Sequence, residues 1–110
     1  MIVGQSAPMP LLTVELRSER GDVLDRVFEE GAIARLRASI GDAGSVCLRF
    51  IDPYGDTVFN PPQAAVLSDE LNAALKAVVD SEDQTRLVRV AGIADLCAAS
   101  LHLLLWFIGD

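Results

Sequence analysis

The chain has few of the residues on which enzymes and metal sites commonly depend. Its 110 residues include one histidine, two cysteines, one tyrosine and one tryptophan. The histidine, His102, lies inside the apolar segment LHLLLWFI, and the chain has no glycine-rich phosphate loop, HExxH motif or His/Cys ligand cluster. Nucleophilic catalysis needs a serine or cysteine beside a base, so we interpret His102 as a core or interface residue. We expect no metal site and no cofactor.

The two cysteines are Cys47 in SVCLRF and Cys97 in DLCAAS, and no CxxC motif accompanies either of them. A free cysteine behaves as a small hydrophobic residue, so both are predicted to be buried thiols in a reducing compartment. The start of the chain, MIVGQSAPMPLL, has neither a basic region nor a long apolar run, which argues against a signal peptide. These features favour a cytoplasmic protein.

Basic residues are scarce relative to acidic ones. Nine lysines and arginines oppose sixteen aspartates and glutamates, which gives a net charge of -7. Such a surface repels phosphate backbones, so we expect no nucleic-acid partner.

One apolar stretch, residues 90–108, is nearly long enough to span a bilayer. It contains Asp95 and His102, and an aspartate near the membrane centre costs about 2.5–3.5 kcal/mol on insertion scales. The stretch therefore predicts a buried helix followed by a buried strand, with no membrane partner.

Half of the residues are hydrophobic, and the length suits one ordinary domain spanning residues 1–110. Five segments have the alternating or continuous apolar pattern of strands: LLTVELRS (11–18), VLDRVF (23–28), SVCLRFI (45–51), DTVF (56–59) and the closing LHLLLWFI (101–108). The clearest is SVCLRFI, with DTVF returning as its partner. The closing segment is apolar on both sides, which predicts a central strand covered on both faces.

Three segments have helical spacing of apolar residues: AIARLRASI (32–40), a helix from Asn60 to about Val79, and a helix opened by a capping box in SEDQ (81–84). The predicted buried face of the last helix consists of Leu87, Val90, Ala91, Ala94, Cys97, Ala98 and Leu101. The order of elements predicts an α+β fold, with a mixed or antiparallel sheet of about five strands packed with about three helices.

The central block IDPYGDTVFNPPQ (51–63) combines structural and functional signals. Local physics explains most of it, since DPYG is a preferred type I turn and Asn60 with Gln63 forms a capping box at a helix start. Tyr54 is different, because an aromatic residue at an outward-pointing turn, beside carboxylates and amides, is typical of a recognition surface. We predict a binding site formed by Asp52, Tyr54, Asp56, Asn60 and Gln63.

An alternative gives the carboxylates a chemical role. If the turn lies beside the C-terminal strand, Asp52 and Asp56 approach Asp110, and clustered oxygens hold a divalent cation or act as acid and base. We favour the simpler interpretation, in which Asp56 is a solvated turn residue and Asp110 a chain end.

The block FIDPYGDTVFN, with Gln63 following and LWFIGD closing the chain, resembles a group of small uncharacterised bacterial proteins. Some of these proteins are carried on mobile integron gene cassettes. No activity or catalytic residues are established for the group, so the resemblance implies none in particular for this chain. Pro61 and Pro62 stand where such relatives often have a basic and an apolar residue, so no role of a basic side chain there carries over.

Three functions compete. The leading one is a small binding or interaction protein, a homodimer with a small-molecule or partner site at the turn, in which Trp106, Leu104 or the outer face of the helix over 85–100 forms the dimer contact. The second is a small enzyme that uses Asp52, Asp56 or Tyr54. The third is an immunity-type accessory protein whose acidic surface covers a basic partner.

Overall fold

The computed structural model describes residues 10–41 and 44–109. The helices and strands follow in the order β1 (Thr13–Ser18), β2 (Val23–Phe28), α1 (Ala32–Ile40), β3 (Asp56–Phe59), α2 (Pro61–Ala74), α3 (Ser81–Ala98) and β4 (Leu103–Ile108). The four strands form one antiparallel sheet in the order β2-β1-β4-β3. The predicted α+β class and the three helices are confirmed, whereas the sheet has four strands and not five.

The missing fifth strand is SVCLRFI, the segment with the clearest strand pattern. Its residues Leu48–Phe50 form a 3₁₀ helix. The Glu70 carboxylate on α2 accepts hydrogen bonds from the backbone N–H groups of Val46 at 2.5 Å, Cys47 at 3.1 Å and Leu48 at 2.8 Å. Three consecutive N–H groups directed at one carboxylate cannot alternate between two neighbouring strands, so the strand prediction is wrong.

β3 consequently lacks the partner that the sequence predicted for it. It pairs with β4, in the register Asp56↔Ile108 to Phe59↔Leu105, and its other side forms an edge of the sheet. An edge strand presents unpaired backbone groups to its surroundings.

β4 lies inside the sheet, between β1 and β3, as expected. Its side chains Leu105 and Phe107 are fully buried, and the Phe107 ring packs edge-to-face on Phe59 with the ring centres 5.7 Å apart. Leu104, Trp106 and Ile108 point to the opposite face and remain partly exposed. The prediction of a strand covered on both faces is therefore wrong for the described part of the chain.

His102 precedes β4 instead of lying within it. Its side chain is exposed, and its Nδ1 lies 3.1 Å from Glu19 Oε1. The core interpretation of this histidine is wrong, because the strand begins at Leu103, two residues after the start of the apolar segment, whereas the interface interpretation stays a prediction. Leu101, predicted to lie in the buried face of the last helix, is likewise exposed beyond its end.

The capping box at the start of α2 is confirmed. The Asn60 side chain accepts from Gln63 N at 2.9 Å, and the Gln63 side chain accepts from Asn60 N at 3.0 Å. α2 ends at Ala74, earlier than predicted, and a 3₁₀ turn continues it to Ala77.

α3 begins one residue away from the predicted cap. Its N-cap is Asp80, whose side chain accepts from Asp83 N at 2.9 Å, and no capping box from Ser81 forms. Asp83 also receives two hydrogen bonds from Arg35 of α1, at 2.7 and 2.8 Å, which join α1 to α3. Within the described residues, no helix combines the length and apolar character that crossing a bilayer requires.

Candidate binding groove at the β3 edge

The DPYG segment is a turn, as predicted, and it is held by its own side chains. Asp52 Oδ1 accepts from Tyr54 N at 2.9 Å, and Thr57 Oγ1 accepts from Asp52 N at 2.9 Å. An aspartate that bonds the amide two residues ahead mimics a backbone turn. The turn is thus fixed to the start of β3.

The same turn packs on the residue that follows β4. Gly109 N donates to Gly55 O at 2.8 Å, and a Cβ built on Gly109 would lie 2.4 Å from Pro53 O. The backbone approach is close enough to require glycine at position 109. The turn therefore lies beside the C-terminal strand, which was the premise of the carboxylate alternative. Asp110 itself lies outside the described residues, as does the start of the chain through residue 9.

The five predicted site residues are distributed over the DPYG turn, β3 and the start of α2. Tyr54 is 67% exposed at the turn, and Asp56 lies on β3 opposite Ile108. Asp52 bonds the turn, while Asn60 and Gln63 bond each other across the start of α2. Among the residues that the structure describes, no three His, Cys, Asp or Glu side chains lie close enough together to hold a metal ion.

One of the five, Gln63, lines an apolar groove along the free edge of β3. The groove has a volume of about 480 Å³. Its walls come from the loop before β3, from β3 and from the first turns of α2: Val46, Cys47, Phe50, Thr57, Val58, Phe59, Pro62, Gln63 and Val66. Phe50 is 63% exposed and Val66 40% exposed, so large apolar side chains at the groove face solvent.

The backbone of β3 adds hydrogen-bonding groups to this groove. The bond from Gly109 N to Gly55 O marks Gly55 as a hydrogen-bonded position of the β3–β4 ladder. Antiparallel ladders alternate, so Thr57 and Phe59 bond to β4, whereas the N–H and C=O groups of Asp56 and Val58 point away from it. Among the described residues no hydrogen bond occupies these outward groups.

The groove wall includes a buried cysteine. Cys47 is buried, and burial together with the negative charge of Glu70 raises the pKa of its thiol. Burial also raises the pKa of the Cys97 thiol. The prediction of two buried free thiols is confirmed, and a protonated thiol has little nucleophilic character.

Sequence reasoning missed the apolar part of the groove. Phe50 and Val66 carry no local signal of function. The loop that contains Phe50 is held by Glu70, which lies on α2 and accepts hydrogen bonds from residues 22 to 24 positions earlier in the chain. In the sequence, Phe50 continues the strand-like alternation of Val46 and Leu48, which would assign it to the core. Its side chain is instead exposed in the structure.

Comparisons with known proteins give no relative from which a role could be transferred. No protein-family model matches the chain, and searches of the curated proteins and of the solved structures return no significant match.

Proposed function

We propose that this protein is a small interaction protein that binds an extended segment of a partner protein along β3. The observation that carries the proposal is an unpaired strand edge that borders an apolar groove. Strand addition uses these two features together, because the backbone of the edge supplies hydrogen bonds and adjacent pockets select side chains.

The arrangement suits an extended peptide better than a compact small molecule. Asp56 and Val58 each offer one N–H and one C=O, and each hydrogen bond contributes on the order of 0.5–1.5 kcal/mol net. Alternate side chains of an added strand lie about 7 Å apart on the same face. The side chains of the added strand that point into the groove would contact Phe50 and Val66. We therefore expect the bound segment to have apolar residues at alternate positions.

The net charge of the chain indicates the charge of the segment that it binds. The chain carries a net charge of -7, so a segment with Lys or Arg beside its apolar positions is attracted and an acidic one is repelled. The proposed partner is therefore basic, as in the immunity-type alternative. The difference is that the partner binds in the groove at the β3 edge instead of being covered by an acidic surface. The enzyme alternative has less support, because Asp52 is committed to the turn and Tyr54 lies apart from the groove.

We also propose that the protein is a homodimer, as the sequence predicts. The supporting observation is the set of partly exposed apolar side chains that β4 presents on the sheet face opposite its buried residues: Leu104, Trp106 and Ile108. A mass near twice 11.8 kDa in light scattering is expected, and a mass of 11.8 kDa would refute the dimer. Cytoplasmic location and membership of the cassette-protein group stay predictions.

The test of strand addition begins with a displayed library of random nine-residue peptides selected on the full chain. Peptides that are enriched are synthesised with N-methyl groups at odd or at even positions. An added strand bonds to the edge through alternate residues, so one pattern of methylation should abolish binding and the other should be tolerated.

Protein variants locate the site. Val66→Asp places a charge in the groove wall and should weaken binding at least about tenfold, since desolvating it costs more than 1.4 kcal/mol. Val88→Asp, an equally simple change at an exposed position of α3, serves as the matched control and should bind as the wild type. The proposal is rejected if the library yields no binder, if both methylation patterns act alike, or if the two variants bind equally.

A further inference from the structure

The side chains of β3 point alternately to the two faces of the sheet. Thr57 and Phe59 pair with the buried residues of β4 and point to the core side, where the groove lies. Asp56 and Val58 point to the opposite face, which we call the outer face. Residues that pair directly in an antiparallel ladder share a face, so a strand added to β3 presents alternate side chains to the groove and to the outer face.

The outer face has a carboxylate at this edge. The Asp56 side chain is exposed, and among the described residues none forms an ion pair or a side-chain hydrogen bond with it. On an added strand, the residue that pairs with Asp56 would have its Cβ about 4.5–5.5 Å away. Opposite charges attract at such a distance and like charges repel, so this one position favours lysine or arginine.

The groove side of the same edge has a positive charge instead. The Arg49 guanidinium lies over the ring of Phe50, 5.0 Å from its centre, and Phe50 lines the groove. The Glu70 carboxylate behind this loop already accepts hydrogen bonds from three backbone N–H groups. A basic side chain directed into the groove would therefore approach a like charge and lose water to an apolar wall, and both effects oppose binding.

The direction of the added strand determines where the basic residue falls in its sequence. Every pairing within the sheet is antiparallel, and antiparallel pairs are slightly more stable per residue than parallel ones. In that direction, successive residues of the partner pair with Phe59, Val58, Thr57 and Asp56. The first and third of these residues enter the groove, and the fourth comes directly after them on the outer face.

We propose that the groove selects segments in which lysine or arginine directly follows the second of two alternate apolar residues, with Asp56 as the residue that determines this preference. The proposal rests on the strand addition proposed above and adds the position of the basic residue. The net charge of the chain attracts a basic segment in any register, whereas Asp56 acts at one position only.

The peptides enriched in the nine-residue library, aligned on their alternate apolar residues, give the first test. Lysine or arginine should be enriched directly after the second apolar residue and depleted at the two groove positions. Replacing this basic residue by glutamine in a synthetic peptide should raise the dissociation constant about two- to fivefold, the range that exposed charge pairs on neighbouring strands reach.

Protein variants test whether Asp56 is the cause. Asp56→Asn should weaken binding of the basic peptide by the same factor and leave binding of the glutamine peptide unchanged, because both changes remove one pair. Asp56→Lys should prefer a peptide with glutamate at this position over the basic peptide. Asp25→Asn is the matched control, since it removes the same charge from an exposed position on β2, at the opposite edge of the sheet. It should bind the basic peptide as the wild type does, with circular dichroism as the check on folding.

The outcomes separate this proposal from strand addition itself. A library without binders would overturn both. Binders that show the alternating effect of N-methylation but bind Asp56→Asn and the wild type equally would keep strand addition and overturn the role of Asp56. An equal loss in Asp25→Asn would assign the preference to net charge and overturn the proposed position. Enrichment of a basic residue directly before the first apolar residue would indicate a parallel strand and overturn the proposed order.

Discussion

Gly109→Ala tests the contact between the DPYG turn and the end of β4. The new Cβ would lie 2.4 Å from Pro53 O, 2.6 Å from Pro53 C and 2.9 Å from Gly55 N. All three are backbone atoms, so no flexible side chain can move aside. Gly109 is not among the residues with positive φ, which makes the expected cost steric and not conformational.

The magnitude follows from two contributions. Forcing one methyl group into a closely packed site typically costs about 1–3 kcal/mol. If the turn moves away instead, the bond from Gly109 N to Gly55 O is lost, which costs on the order of 1 kcal/mol. The response with the smaller free-energy cost, either the steric overlap or the displaced turn, determines the stability of the variant. We therefore expect the free energy of unfolding to fall by about 1–3 kcal/mol.

Urea denaturation followed by circular dichroism measures the loss, and Gly92→Ala provides a control of the same chemistry. Gly92 lies inside α3, and a Cβ there meets no atom within 4 Å. Alanine in a helix interior is favoured over glycine by about 0.5–1 kcal/mol, so this variant should gain stability. The urea concentration at the midpoint of unfolding should therefore fall for Gly109→Ala and rise for Gly92→Ala. Equal midpoints for Gly109→Ala and the wild type would refute the close contact.

Two other predictions concern carboxylates. Glu70→Ala should cost about 1–3 kcal/mol because three amides lose their acceptor, and faster hydrogen exchange at those amides would identify the cause; the neighbouring Asp69→Ala, at an exposed position, should change little. The hydrogen bonds from Arg35 hold the pKa of Asp83 below its ordinary value of 3.8, against the opposing effect of burial, so the stabilisation is complete above that value and is lost as the pH falls through the lower pKa of the folded state. Asp83→Asn should accordingly lose about 1 kcal/mol near neutral pH and show a weaker decline of stability in acid, and an unchanged acid profile would contradict the role of the pair.

Patterns set by neighbouring residues could be predicted from the sequence. The alternation in β1, the turn through Pro53 and the capping box of Asn60 all depend on contacts within a few residues, and each is present. The apolar content of β4 correctly indicates a strand inside the sheet. These elements are enough to establish the α+β class.

Contacts between distant residues account for what could not be predicted. SVCLRFI alternates as a strand does, but three of its backbone N–H groups donate to the Glu70 carboxylate instead of to a neighbouring strand. No pattern within the segment predicts this contact with a residue more than twenty positions away. The candidate binding groove likewise depends on contacts between distant residues. The capping box is local, and each of Asn60 and Gln63 accepts a hydrogen bond from the backbone N–H of the other, but the apolar groove beside Gln63 depends on the position of Phe50, which no local pattern predicts.

The position of the β3 edge depends on the turn that packs against Gly109. Thr57 Oγ1 accepts from Asp52 N and so fixes the turn to the start of β3, while the turn itself lies in close contact with Gly109. Gly109→Ala should displace the turn, and with it the strand edge that the peptide is proposed to use. We therefore expect this variant, under conditions where it remains folded, to weaken peptide binding, as Val66→Asp does by changing the groove wall. Measuring the peptide dissociation constants of these two variants and of Val88→Asp checks the expectation. A Gly109→Ala protein that binds the peptide as tightly as the wild type would show that the position of β3 does not depend on its contact with Gly109.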